Sequence, residues 1–181
     1  MLVMLPSVVR VIRRRMRTGT QLPLSTFRRD TWGMDWSHYR FRSVWDLPAA
    51  PDVVFRVLAE VEAYPSWWRE IRETVRYDEE SGVVRIRSFL PYELLVTVRA
   101  ARRDPLAGVL EVDASGDLSG WARWTVSSYN GGSRAVYEQE VRVQRGLMRR
   151  FAIPGRPVFL LNHALMMRNG RRGLADYLAL R

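Results

Sequence analysis

Trp45-Asp46-Leu47-Pro48-Ala49-Ala50-Pro51-Asp52-Val53-Val54-Phe55, running on to Tyr64-Pro65-Ser66-Trp67-Trp68, is where one periodicity gives way to another. Ahead of it, Tyr39 to Leu47 alternates. Phe41, Ser43, Trp45 and Leu47 fall on one side and Arg40, Arg42, Val44 and Asp46 on the other, the mark of a half-buried strand. Pro48 stops that strand. Pro51 suits the first position of a helix, where its missing N–H would have no partner anyway, and Val53, Val54, Val57, Leu58 and Val61 then form a helical stripe. Tyr64-Pro65 breaks the helix, and Ser66 is placed to cap a second, short one through Trp67, Trp68 and Ile71.

About six strand-like segments follow, parted by turns. Thr74 to Asp78 is the weakest. After the turn at Glu80-Ser81-Gly82, Val84, Ile86 and Ser88 oppose Arg85 and Arg87. Tyr92, Leu94, Val96 and Val98 form one face of Tyr92 to Ala100, and Leu110 and Val112 point inward from Leu106 to Ser115. Leu118 to Tyr129 sets Trp124 and Val126 against Arg123 and Thr125. Asn130-Gly131-Gly132 supplies residues tolerant of positive φ for a hairpin turn. Ala135, Tyr137, Gln139, Val141 and Val143 then oppose Arg134, Glu138, Glu140 and Arg142, the cleanest alternation in the chain. Strands at this spacing make an antiparallel meander, whereas a parallel sheet would need helices between them.

The chain ends on an apolar-striped stretch, Phe159 to Leu180, after the breaker Ile153-Pro154-Gly155-Arg156-Pro157. Leu160, Ala164, Met167, Leu174, Tyr177 and Leu178 recur at helical steps, with His163 beside the stripe and Arg168, Arg171 and Arg172 on the outer side. Strand, short helices, strands and a long final helix describe an α+β domain in which a curved antiparallel sheet grips one helix. Such a grip leaves room inside.

Composition removes several chemistries. The chain has no cysteine, so disulfides, thiolate metal sites and cysteine nucleophiles are excluded. Two histidines, His38 and His163, are too few for a histidine-rich metal centre. All 29 basic residues are arginine, which excludes a lysine Schiff base. No nucleophile elbow, phosphate loop, nucleotide-binding glycine set or calcium loop is present, and no cofactor is implied.

The net charge of +10 is unevenly spread: residues 1–40 carry eight arginines against two aspartates. The body is only mildly basic and gives little electrostatic reason to expect a nucleic-acid groove. Residues 1–35 read as a basic extension and 36–181 as the domain proper. Two readings of the extension stand. Arg10, Arg13, Arg14, Arg15 and Arg17 on a short helix could touch an anionic membrane; alternatively the segment is a disordered tail, or translation starts at Met34. With no secretory or membrane-spanning pattern, the expected location is the cytoplasm, peripheral to the membrane if the leader is an anchor.

The order of elements, the Leu47 to Phe55 opening, the Tyr64 to Trp68 segment, the Trp121-Ala122-Arg123-Trp124-Thr125-Val126 strand and the closing His163 to Leu174 stretch together resemble the SRPBCC superfamily. Within it they are most similar to the polyketide cyclase/dehydrase and lipid-transport group, related in fold to START domains and birch-pollen allergens. The resemblance covers about residues 36–181. It implies a helix-grip fold with an internal hydrophobic cavity that takes a lipid, a polyketide or another bulky apolar molecule. It brings no invariant catalytic set, because members share the cavity and differ in chemistry.

If the charge-free strand faces point inward, the ligand-binding residues are Phe41, Trp45, Trp68, Ile86, Ser88, Tyr92, Leu94, Trp124, Tyr137 and Gln139 from the sheet and its approach, with Leu160, His163 and Met167 from the helix. His163 and Tyr137 are the candidates for acid–base chemistry: a neutral imidazole could take a proton from an activated carbon while a phenol donates to the developing enolate oxygen. A lone histidine on a helix is more often a satisfied structural residue. Trp67-Trp68 reads as a guard at the cavity mouth, an interfacial anchor or simple packing. Gly146 to Phe151 reads as a lid, a headgroup contact or a loop. Three functions compete: a binder of a hydrophobic small molecule, a cyclase or dehydratase of polyketide-like chains using His163 and a tyrosine, and a membrane- or nucleic-acid-associated protein working through its leader.

Overall fold

The computed structural model describes residues 37–87, 89, 92–144 and 155–180. The arginine-rich leader with Arg10, Arg13, Arg14, Arg15 and Arg17 lies outside the described residues, as do Ser88 and the 146–151 stretch.

Strand β1 (His38–Leu47) leads through Pro48 into helix α1 (Pro51–Ala59), a 3-10 turn (Val61–Ala63) and the one-turn helix α2 (Tyr64–Trp67). Pro51 stands in the first turn of α1, with Asp52 beside it at the positive end of the helix dipole. Tyr64-Pro65 opens α2 where the sequence reading had it break a helix. Proline loses nothing in a first turn, whose amides lack helical partners. Ser66 accordingly lies inside α2 and does not cap it; its hydroxyl donates back to the Ala63 carbonyl at 2.6 Å. Ile71, expected on that helix, begins strand β2 (Ile71–Arg76).

The strands β3 (Ser81–Arg87), β4 (Glu93–Asp104), β5 (Val109–Gly116), β6 (Leu118–Tyr129) and β7 (Gly132–Val143) follow as an antiparallel meander. They form one seven-stranded sheet in the order β1-β7-β6-β5-β4-β3-β2. The first strand thus closes against the last, and α1 and α2 carry the chain from one sheet edge to the other. The β6–β7 turn uses Asn130 at φ 47° and Gly131 at φ 78°, the left-handed pair that matches the twist of a two-residue hairpin. Register shifts at Ile71/Glu73 and Ala100/Arg102 interrupt the ladder and help it bend.

Pairing stacks the inward residues in rows across the strands: Ser43 opposite Tyr137, Tyr137 opposite Trp124, Trp124 opposite Leu110; and Phe41 opposite Gln139, Gln139 opposite Ala122. Two groups of buried side chains grow from these rows. One gathers Trp45, Trp67, Trp68, Trp124, Leu58, Met167 and Leu174. The other gathers Tyr39, Leu94, Val96, Leu118, Val141 and Phe159. Burying each such large side chain contributes about 1.5–3 kcal/mol.

Helix α3 (Gly155–Ala179) crosses this surface. Its inward face is rotated from the expected stripe: Phe159 is 6 % exposed while Leu160 is 40 % exposed, and Asn162, Met167, Gly170 and Leu174 are buried. Two glycines explain the rotation. A β-carbon on Gly170 would stand 2.6 Å from the Trp68 ring, and one on Gly173 would stand 1.7 Å from the Trp67 carbonyl oxygen. Here the helix lies with its backbone on the tryptophans, and the face that can do so is the one holding the glycines. Arg168, Arg171 and Arg172 are exposed, on the far side.

Candidate functional site

Close contact at Gly170 and Gly173 fixes one half of α3. Beneath the other half lies a cavity of about 320 Å³. Its helical wall is Phe159, Asn162, His163, Met166 and Met167, all ahead of the glycines. Phe41, Trp124, Tyr137, Gln139 and Val141 line it from β1, β6 and β7, and Val84, Ile86, Leu94, Val96 and Leu110 from β3, β4 and β5. Leu58, Tyr64 and Trp68 come from the segment between β1 and β2, and Ile71 from the start of β2. Exposed Arg76, Asp78, Glu80 and Arg102 also belong to the wall and mark where it opens to solvent.

Nine of the thirteen residues proposed for ligand contact therefore line one space: Phe41, Trp68, Ile86, Leu94, Trp124, Tyr137, Gln139, His163 and Met167. Three lie elsewhere. Trp45, 2 % exposed, sits edge-on between Trp68 and Trp124 at centroid distances of 5.5 and 4.7 Å, so it is solid core behind the wall. Leu160 points outward because of the rotation of α3. Tyr92 packs on the group around Tyr39, outside the lining. Ser88 is outside the described residues. Both Trp67 and Trp68 are buried, which leaves neither able to anchor at a membrane interface.

His163 is held from two sides. Its ring stacks on Phe41 at 3.7 Å between centroids and 12° between planes, and its Nε2 meets Gln139 Oε1 at 3.2 Å. An oxygen facing Nε2 puts the ring proton there and leaves Nδ1 with its lone pair. Burial pushes the imidazole pKa down to about 4, so the ring is neutral at pH 7. The Tyr137 ring lies 6.3 Å from it. Burial raises the Tyr137 phenol, so its proton stays on. Tyr64, also raised by burial first and then by the neighbouring Tyr137, donates to the Leu58 carbonyl at 2.8 Å. His38 is remote from this group and meets Glu140 at 2.8 Å on the β1–β7 edge. The site thus offers a large apolar wall and a few polar atoms that are neutral at pH 7, a pattern suited to apolar molecules with one or two polar groups.

Some lining residues had no sequence signal of their own. Tyr64 read as punctuation beside Pro65. Asn162 and Met166 were hidden because a helical asparagine and methionine do not mark an inward face, although their spacing with Gly170 on one side of the helix would have found it.

A family model described as polyketide cyclase / dehydrase and lipid transport matches residues 47–159. No curated protein matches the sequence. Among solved structures, the Zhui aromatase/cyclase from a Streptomyces species is similar, at 13 % identity and TM-score 0.57, with 77 % of this chain and 92 % of that one covered. A START superfamily protein from Mycobacterium smegmatis is similar at 12 % identity and TM-score 0.59, with 79 % and 97 % covered. At such identities the likeness is one of fold, and the fold is the helix grip.

Proposed function

The chain belongs to the polyketide cyclase/dehydrase and lipid-transport family, and from that premise we propose that it binds a hydrophobic small molecule, of lipid or polyketide type, in the cavity beneath α3. The observation that carries this reading is the cavity itself: about 320 Å³, walled by aromatic and aliphatic side chains, within the size range of about 300–1,000 Å³ usual for small-molecule sites. His163 and Gln139 orient the ligand, and Tyr137 offers it a donor.

The same groups support a second reading, a cyclase or dehydratase in which His163 Nδ1 accepts a proton and Tyr137 donates one. A base with a pKa of about 4 is a weak one, since proton transfer is most effective when the pKa lies near the working pH. Binding is therefore preferred over turnover.

Native mass spectrometry of the purified protein, followed by solvent extraction, tests the first reading, together with titration by the neutral fluorophore N-phenyl-1-naphthylamine. A released lipid or polyketide, or a saturable rise in fluorescence, is expected. No extractable ligand together with no saturable signal overturns it. His163→Ala separates the two readings: the binder keeps its affinity within a few-fold, whereas the enzyme keeps binding and loses turnover.

A further inference from the structure

A second, smaller chamber of about 170 Å³ lies between the start of β2 and the outer flank of α3, and Asn162 and Met166 line both it and the main cavity. Its character is opposite. Glu70 is 6 % exposed and Asn162 5 % exposed, and each keeps a buried acceptor, Oε2 and Oδ1, without a hydrogen-bond partner. The other atoms of these groups are engaged. Glu70 Oε1 accepts from Asn169 Nδ2 at 2.8 Å and pairs with Arg69 Nε at 3.4 Å, and Asn162 Nδ2 donates to the Met166 sulfur at 3.6 Å. The Glu70 carbonyl accepts from the Arg87 amide at 2.8 Å, which anchors the main chain here to β3.

An unpartnered buried acceptor costs about 1–3 kcal/mol. Both belong to residues of the chamber wall, and neither acceptor is open to a water-sized group as it stands, so a donor in the chamber reaches one of them with a small shift of the wall. The chamber is rimmed by Arg69, Arg72 and Arg87, all exposed, and three guanidinium groups disfavour a cationic donor such as an ammonium. A neutral hydroxyl meets both conditions.

We propose that this chamber is the polar end of the ligand site, taking a hydroxyl group that donates to Glu70 Oε2 or Asn162 Oδ1 while the apolar body of the same molecule lies in the main cavity. The inference rests on the binding reading above and narrows it to amphipathic molecules ending in an alcohol.

The test is displacement of N-phenyl-1-naphthylamine by dodecan-1-ol, dodecyl methyl ether and dodecanoic acid. These share a chain length and differ in what the head can donate and in its charge. In the wild-type protein the alcohol should displace the fluorophore at roughly one tenth of the ether concentration, the worth of about one hydrogen bond. That gap should close in at least one of Glu70→Gln and Asn162→Leu, each checked for folding by circular dichroism. Equal displacement by alcohol and ether overturns the proposal on the wild-type protein alone. So does a preference unchanged in both variants, or a dodecanoic acid that outcompetes the alcohol by pairing with the arginine rim. Failure of the fluorophore to bind at all strikes at the cavity reading instead, and this proposal falls with it.

Discussion

Gly173 lies against the backbone of Trp67 so closely that a β-carbon at 173 would stand 1.7 Å from the Trp67 carbonyl oxygen. This contact sets how near α3 comes to the rest of the domain, and so where the cavity can begin. Alanine in place of glycine within a helix normally gains about 1 kcal/mol. Here the neighbour is main chain and cannot rotate away, so the clash should win. Gly173→Ala is expected to lower stability by about 2 kcal/mol, within the usual range for overpacking, as measured by urea unfolding. A variant more stable than wild type would show that the helix does not pack on this face.

The phase of α3 can be tested with two adjacent residues. Phe159 is buried against Tyr39, with ring centroids 4.4 Å apart, and Leu160 is turned outward. Phe159→Ala should cost about 3 kcal/mol, as for other buried aromatic truncations, and Leu160→Ala less than about 1 kcal/mol. The stripe read from sequence requires the reverse order, so thermal melts of the pair decide between them.

His163 links the cavity to pH. Its folded pKa of about 4 lies below the ordinary value of 6.5 because burial penalises the charged ring. Between those values the unfolded chain binds a proton that the folded one does not, so stability rises with pH across the window and is lost as pH falls toward 4. The contribution is about 3 kcal/mol. Carboxylates titrate nearby, so the informative quantity is the difference between wild type and His163→Gln. The wild type should lose about 3 kcal/mol relative to the variant between pH 7 and pH 4, and a flat difference would place the imidazole in water.

How much of this was legible beforehand differs by element. The strand faces were readable because each has one wet side: Tyr137, Gln139 and Val141 alternate with Glu138, Glu140 and Arg142, and parity alone assigns the face. Parity cannot say whether an inward residue meets a void or another side chain. Trp45 and Phe41 share a face of β1, yet one is packed among tryptophans and the other lines the cavity, because the distance of α3 from the sheet changes along its length. That distance is set by Gly170 and Gly173, which in a sequence look like interruptions of a stripe. Glu70 was hidden for another reason: a single acid between Trp68 and Ile71 reads as solvent-facing, and only the packing of Asn169 beside it shows that it is buried.

Filling the cavity should separate binding from folding. Ala122 sits on β6 opposite Gln139 and lines the cavity. Ala122→Phe would place a ring in the space beneath Phe41 and His163 without displacing a packed neighbour, so the usual cost of overpacking, about 1–3 kcal/mol, should be largely offset by new apolar contact. Titration with N-phenyl-1-naphthylamine should then show at least a roughly tenfold weaker affinity, equivalent to about 1.4 kcal/mol, at a melting temperature close to that of the wild type. Undiminished affinity in the folded variant would mean that the fluorophore binds somewhere other than beneath α3. Collapse of the fold would mean that no space exists at Ala122; the same substitution at Ala114, which also lines the cavity from β5, would then show whether the void extends along the sheet or ends at β6.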